Sequence, residues 1–334
     1  MSQWFTRAWH EGHPALWLLW PLMLLFALVS FLRRQFYHLG IFSAHDFPVP
    51  IVVVGNITVG GTGKTPLTLA LIERLRAEGF KPGVVSRGYG GHGDYPLVVD
   101  EGVFAEQCGD EPLTLFRRTG VPLVVDPKRS RAVAHLLEKF DCDVVLCDDG
   151  LQHYALVRDV EVAVIDGGRG VGNGRLLPMG PLREPVSRLH RVQQVVINGE
   201  GFVWPHAARM SLSPEPWQNL RREAHALPVP GERVHAVAGI GNPGRFFAQL
   251  EAQGFVVSGH AFPDHHVYST SQLSFADGLP VVMTEKDAVK CMALAEANWW
   301  YVPVKAILPE EFYATLLQRL RAVRQQKTQQ KKVR

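Results

Sequence analysis

Residues 58–65, TVGGTGKT, set three glycines beside a lysine and a threonine in an order suited to gripping phosphate. Glycines let the backbone curl so that successive N–H groups face an anion. Lys64 brings a mobile positive charge to the β- and γ-phosphates, and the Thr65 hydroxyl is placed to ligate Mg²⁺. The general pattern, G-x-x-x-x-G-K-[ST], opens on glycine. Here Thr58 takes that place, while Gly60, Gly61 and Gly63, around Thr62, keep the freedom inside the loop. A nucleoside triphosphate with Mg²⁺ is the ligand such a loop takes. The acid that completes such a site has a candidate in DVVLCDDGLQH, 143–153, where Asp148 and Asp149 follow an apolar run.

These residues need elements to position them. Ile51–Val54 reads as a buried strand leading into the loop, and 66–78 has helical spacing leading out of it. A helix starting there adds its dipole to the anion site. Gly83–Ser86, Leu123–Val125, Val144–Cys147 and Val160–Ile165 continue as apolar strands, with helical spacing at Arg129–Lys139. Strand–helix alternation implies a parallel sheet covered on both faces. That puts Asp148 and Asp149 at the carboxyl ends of the strands, where open α/β sheets bind ligands. A second alternation runs through Val234–Ala238, Phe255–Ser258, Val281–Thr284 and Trp300–Val304. The expected fold is α/β: a P-loop NTPase-like parallel-sheet domain, a second, smaller α/β domain and an N-terminal membrane helix. The boundaries expected are an anchor at 1–35, the P-loop domain at 36–200, a connection at 201–232, the smaller domain at 233–320 and a basic tail at 321–334.

Length and composition agree. The chain has 334 residues, 46% apolar and 20% charged, enough for two cores and unlike a disordered protein. A net charge of +3 does not point to nucleic acid as a partner. The four cysteines, at 108, 142, 147 and 291, lack C-x-x-C spacing and read as reduced thiols. Residues 15–32 carry no charge, have Trp17 and Trp20 near one end, and are followed by Arg33 and Arg34. This is an anchor, either crossing the bilayer with the N-terminus outside and the rest in the cytoplasm, or lying in its plane. The tail from 319 contains cations and no acids and reads as a frayed, solvated end that an anionic leaflet attracts weakly.

Several unusual strings accompany the loop: VGNITVGGTGKTP, SRGYGG, GDEP, DDGLQH, GNGRLLPMGPLREP, FPDHH and MTEKDAVK. Together, in this order and behind an apolar N-terminus, they closely resemble the tetraacyldisaccharide 4′-kinase family, the lipid A 4′-kinases of Gram-negative bacteria. The resemblance implies ATP and Mg²⁺ as cofactors and a membrane-held glycolipid, tetraacyldisaccharide 1-phosphate, whose 4′-hydroxyl is phosphorylated to give lipid IVA. It implies the bacterial inner membrane, with the catalytic domains on the cytoplasmic side; a monomer is expected. It makes Asp110, in GDEP, the candidate catalytic base and His265, rather than His266, its partner. Lys64 completes the catalytic set, and Thr65, Asp148 and Asp149 are the Mg²⁺ candidates. A positioned carboxylate suits a sugar hydroxyl, which is a weak nucleophile. The base candidate and its histidine fall on opposite sides of the expected domain boundary, so closure of two domains over ATP is expected. Arg183 and Glu184, in a proline-bracketed loop, are rim candidates, and Arg87 and Tyr89 are candidates for holding substrate or nucleotide.

Other readings compete. His260, Asp264, His265 and His266 offer zinc ligand types, but adjacent histidines point different ways. GIGNPG at 239–244 fits the dinucleotide pattern G-x-G-x-x-G, although a tight strand-to-helix turn with Pro243 opening the helix explains it as well. The functional alternative is a membrane-tethered P-loop ATPase switch acting on a protein partner; it predicts no need for lipid.

Overall fold

The computed structural model describes residues 3–333 apart from 222, 224 and 225. The ends of the expected anchor and tail, and part of the expected connection, therefore lie outside the described residues. The chain forms two compact units: Met1–Arg87 with Val121–Ser211 and Ala306–Arg334, and Gly88–Gly120 with Leu212–Lys305.

In unit 1 the strands are β1 (Ile51–Gly55), β2 (Pro82–Ser86), β3 (Leu123–Val125), β4 (Val144–Asp148), β5 (Val160–Asp166), β6 (Gln194–Asn198) and β7 (Ala208–Pro214). They lie in the order β7-β6-β5-β1-β4-β2-β3, and every pairing between these neighbours is parallel. β1, β2, β3 and β4 are buried at every position, as continuous Val, Ile and Leu runs require when helices cover both faces. The register sets Val54 of β1 beside Asp148 of β4, bringing the acidic pair to the strand that opens the phosphate loop.

Two helices lead the chain, α1 (Gln3–Glu11) and, after a 3₁₀ turn at Pro14–Leu19, α2 (Trp20–His38). Within Pro14–His38 an 18-residue window reaches a mean hydropathy of 2.3, and the segment is long and apolar enough to cross a membrane. It does not leave unit 1, however. Ala8, Trp9, Leu16 and Met23 pack with Met179, and Trp9 Nε1 donates to Pro178 O at 3.0 Å. At its far end Arg34 approaches Glu184, and Tyr37 meets Tyr154 with ring centroids 6.1 Å apart. Both ends of the apolar segment thus contact unit 1. The outward face carries Leu18, Leu22, Leu25, Leu28 and Leu32, all exposed.

Unit 1 continues with α3 (Lys64–Ala77). In unit 2 the first helix of note is α4 (Asp110–Thr119), and α5 (Arg129–Lys139) returns to unit 1. Unit 2 has a five-stranded sheet of β8 (Gln218–Asn219), β9 (Arg233–Ala238), β10 (Val256–Ala261), β11 (Val281–Thr284) and β12 (Trp299–Val302), in the order β10-β9-β11-β12-β8. Only the short β8 is antiparallel to its neighbour. Helices α6 (Pro243–Ala252) and α7 (Glu285–Cys291) pack here, over cores centred on Trp299, Met283 and Phe246.

Three boundaries differ from expectation. Residues 88–120 belong with unit 2, because α4 packs on α7 rather than on the first sheet. The expected connection at 201–232 contains β7, a strand of the first sheet. The last helix, α8 (Glu310–Val333), belongs to unit 1 and is an ordered element, not a frayed end: Arg321 pairs with Glu78 at 2.7 Å and Lys327 with Asp159 at 3.0 Å.

Candidate active site

The phosphate loop joins β1 to α3 as the sequence pattern requires. Gly63 is the N-cap of α3 with φ 95° and ψ 25°, and Gly60 has φ 94°. Both angles lie in the region that L side chains avoid. Neighbouring side chains hold the loop by its carbonyls. Asn56 Nδ2 donates to Gly60 O at 3.2 Å, Asn198 Nδ2 to Thr62 O at 3.1 Å, and Arg169 to Gly61 O. These bonds use the carbonyls of Gly60, Gly61 and Thr62 and so orient the loop without using its N–H groups. Thr58 and Val59 are tied to the segment 176–183: Thr58 bridges Leu182, and Val59 N donates to Pro181 O at 2.9 Å.

Lys64 is buried, with Nζ 3.5 Å from Asp149 Oδ1. Arg183 reaches the same carboxylate at 3.3 Å. Burial works against a charge on Asp149, but Lys64, then Arg183 and Arg129, outweigh it and hold its carboxyl below the usual range. Asp149 is therefore an anion at neutral pH, and its left-handed backbone (φ 49°) turns it sharply out of β4. Asp148 stays on the strand, 3.5 Å from Thr68 Oγ1 of α3. Thr65 lies one turn before Thr68 on the same helix face. One hydroxyl and one or two carboxylates are the protein share of a Mg²⁺ site whose other ligands are phosphate and water, so Thr65, Asp148 and Asp149 fit such an ion. Among the arginines of 169–183, which the sequence offers for neutralising phosphate charge, Arg169 reaches the loop and Arg183 reaches Asp149; Asn56, Arg129 and Asn198 are not singled out by the sequence, and Asn198 has no signal there beyond its residue type.

Unit 2 holds the other candidates. Asp110 opens α4 after Gly109, whose φ is 88° and where a Cβ would stand 2.6 Å from Tyr89 O. A carboxylate in the first turn suits the unpaired N–H groups there, and Glu111 N donates to Asp110 Oδ1 at 2.9 Å. His265 comes from the loop after β10 and has φ 60°. Its Nδ1 lies 3.0 Å from Asp110 Oδ2 and 3.1 Å from Oδ1. Its ring also packs on Tyr89, centroids 5.0 Å apart. Burial resists charge on Asp110, but the His265 hydrogen bond and Lys286 overcome it, so its carboxyl sits below the usual range. The same hydrogen bond raises the imidazole of His265, against burial and Lys286. His266 bonds Gln272 instead, at 3.1 Å. Asp110 and His265 thus lie within one unit, so the expectation that they belong to different domains, and the need for closure to bring them together, is corrected.

The competing readings lose their geometry. The four zinc candidates go to four partners: His260 to His235, Asp264 to Lys286, His265 to Asp110 and His266 to Gln272. Among the described residues no group of three or more His, Cys, Asp or Glu is placed to hold a metal. In GIGNPG, Asn242 caps α6 by accepting from Arg245 N at 3.3 Å, with Pro243 in its first turn. A Cβ at Gly239 would stand 2.6 Å from the Tyr268 hydroxyl, so that glycine serves close packing.

A parallel sheet, a glycine loop capped by a buried lysine and a paired acid at the next strand define a P-loop NTPase-like protein. The tetraacyldisaccharide-1-P 4′-kinase family model matches residues 15–321. The chain is 50% identical over 325 residues to the tetraacyldisaccharide 4′-kinase of Tolumonas auensis, covering 96% of this chain and 97% of that one. It is 50% identical over 320 residues to that of Pseudomonas putida, covering 94% and 95%. The crystal structure of LpxK from Aquifex aeolicus in complex with ATP superposes with a TM-score of 0.78 at 28% identity, over 92% of this chain and 99% of that one. The chain belongs to the tetraacyldisaccharide 4′-kinase family.

Proposed function

We propose that this chain transfers the γ-phosphoryl group of ATP to the 4′-hydroxyl of tetraacyldisaccharide 1-phosphate, giving lipid IVA. The observation that carries this is the match along almost the whole chain to kinases of that name, on a protein whose P-loop sets Lys64 beside Asp149. Gly60, Gly61, Thr62 and Gly63 turn their N–H groups to the phosphates, and Lys64 offsets charge on the β- and γ-phosphates. Thr65 with Asp148 or Asp149 would hold Mg²⁺, which would supply charge neutralisation at the phosphate oxygens. Arg183, already at Asp149, is positioned to share that work. Asp110 takes the proton of the 4′-hydroxyl while His265 orients the carboxylate and shares the proton. The sugar oxygen forms the new O–P bond; the bond from the γ-phosphorus to the bridging oxygen breaks, and ADP leaves with that electron pair.

The exposed apolar face of α2 supports an anchor lying in the bilayer plane, held to unit 1 at both ends. We assign it to the cytoplasmic side of the bacterial inner membrane, where ATP is available, with the protein acting as a monomer. The test supplies detergent-solubilised protein with γ-labelled ATP, Mg²⁺ and tetraacyldisaccharide 1-phosphate. Label passes to lipid with the natural protein and at most about a hundredth as fast with Asp110→Ala. Phosphate release without lipid, and no labelled lipid, would instead identify an ATPase switch.

A further inference from the structure

We propose that Lys286 is a positioning residue for the transfer, keeping the Asp110–His265 pair seated and free to accept a proton by neutralising the carboxylates crowded around it. This rests on the reading of Asp110 as the base. Lys286 sits in the first turn of α7, two residues after the N-cap Thr284. A cation there faces the unpaired N–H groups of a helix start, where carboxylates are the favoured residues. Its side chain is nevertheless largely withdrawn from water, 20% exposed. A lysine held in such a place must be held by something else.

Three carboxylates from two other segments hold it. Nζ lies 3.0 Å from Asp264 Oδ1, 3.3 Å from Glu111 Oε1 and 3.7 Å from Asp110 Oδ2. Asp264 precedes His265 in the chain and accepts from His265 N at 3.1 Å, so the same contact braces the left-handed turn that aims the imidazole. The other charged groups nearby are engaged elsewhere: Lys290 pairs with Asp287 at 2.8 Å, and Asp287 accepts from the Tyr268 hydroxyl at 2.8 Å. The Cys108 thiol, just before Gly109, is held protonated by burial, and Tyr89 covers His265 with its ring. Lys286 is thus the cation that meets all three carboxylates. Without it, Asp110 and Asp264 would flank the imidazole with uncompensated negative charge, and Glu111 would lose its partner beside them. The pair would then keep its proton at pH values where it must be empty to receive one from the sugar hydroxyl.

The experiment compares pH–kcat profiles of the full-length protein carrying Lys286→Met, Lys286→Arg, Asp264→Asn or the double change Lys286→Met/Asp264→Asn, with thermal unfolding measured for each. In Lys286→Met the acid limb moves up by about one pH unit or more, the effect of losing one opposite charge at this range. Turnover at pH 7 falls roughly tenfold or more, following that shift, and KM for ATP stays the same. Lys286→Arg returns the limb to its natural position, Asp264→Asn alone moves it down, and the double change moves it back from the Lys286→Met value. The imidazole resonances of His265, titrated by NMR in the same variants, shift in the same order without needing turnover. A fall in kcat with the limb and the His265 titration unmoved would overturn the proposal and reduce Lys286 to a packing contact. So would unaltered kcat and limb. If Lys286→Met does not fold, Asp264→Asn and Lys286→Arg decide by the same two readouts. Full activity of Asp110→Asn would sink the base reading itself, a result separate from any shift seen in the His265 titration.

Discussion

Gly63→Ala tests the phosphate loop most directly. At φ 95° and ψ 25° an alanine costs roughly 1–2 kcal/mol in backbone strain. Its Cβ would stand 2.5 Å from Asn198 Nδ2 and 3.1 Å from Met210 Cε. Asn198 is buried and donates to Thr62 O at 3.1 Å, so moving it aside forfeits a hydrogen bond worth about 1 kcal/mol. The sum, about 2–3 kcal/mol, falls on the conformation that grips phosphate. If all of it is felt in binding, ATP affinity by calorimetry drops roughly 30- to 150-fold. If it is felt in folding, the unfolding temperature drops by about 4 to 12 °C. Gly61→Ala is the control: its Cβ would meet nothing within 4 Å and its φ is ordinary, so its unfolding temperature stays unchanged. Gly63→Ala with ATP affinity within about threefold of the natural protein, less than 1 kcal/mol, and the same unfolding temperature would refute the reasoning. It would mean that Asn198 yields without loss and that the left-handed turn is not required.

Glu184 is buried and accepts from Gln152 Nε2 at 2.7 Å, the Tyr154 hydroxyl at 2.5 Å and Arg188 Nε at 3.2 Å; Glu184→Ala strands these donors and lowers stability by about 3–5 kcal/mol, read from the denaturant midpoint, with a smaller loss for Glu184→Gln. His265 has its proton affinity raised by Asp110, so the stability it adds is fully present below about pH 6.5 and fades as pH rises through its higher folded value; His265→Ala therefore destabilises more at pH 6 than at pH 9, and equal losses at both would contradict the pairing. If Asp110 is the base, as proposed, the pair must be unprotonated to accept a proton, and the acid limb of the pH–rate profile lies above the ordinary imidazole value near 6.5. Leu25 and Leu28 are 57% and 54% exposed on the outward apolar face of α2, so Leu25→Glu/Leu28→Glu releases the protein from membranes in flotation assays while ATP binding persists.

The parts of this molecule that sequence conveys well are those governed by short-range rules. β1, β3, β4 and β11 are short apolar runs rich in valine, and each falls within a residue of where periodicity places it. The turn into α3 is equally legible, because a Gly-Lys-Thr run after a buried strand leaves few alternatives. Segment allegiance is not short-range. Residues 88–120 sit between two strands of the first sheet in the chain and yet fold with the second unit, and 306–333 returns to the first. Only the apolar face of α4, matched to α7 through Arg118 and Glu285 at 2.9 Å, decides this, and periodicity gives a face without its partner. Lys286 was hidden for a related reason. A lysine opening a helix reads as a solvated surface charge, and only the fold brings Glu111 and Asp264 to it. The pairing of Asp110 with His265 likewise came from family resemblance, since their separation of 155 positions carries no local signal.

The segment 176–183 touches two things that rarely share a support. Pro178 and Met179 receive Trp9, Leu16 and Met23 of the apolar N-terminus, while Pro181, Leu182 and Arg183 bond Val59, Thr58 and Ile57. It is a beam clamped at one end to the greasy edge of the protein and at the other to the loop that grips phosphate. A force that levers the apolar helix, such as the curvature of a detergent micelle, would reach residues 57–59 through this short segment. Nucleotide affinity is then expected to vary with the surroundings of the helix, and constants measured in micelles and in bilayers should differ most for ATP, the one reactant that never enters the lipid.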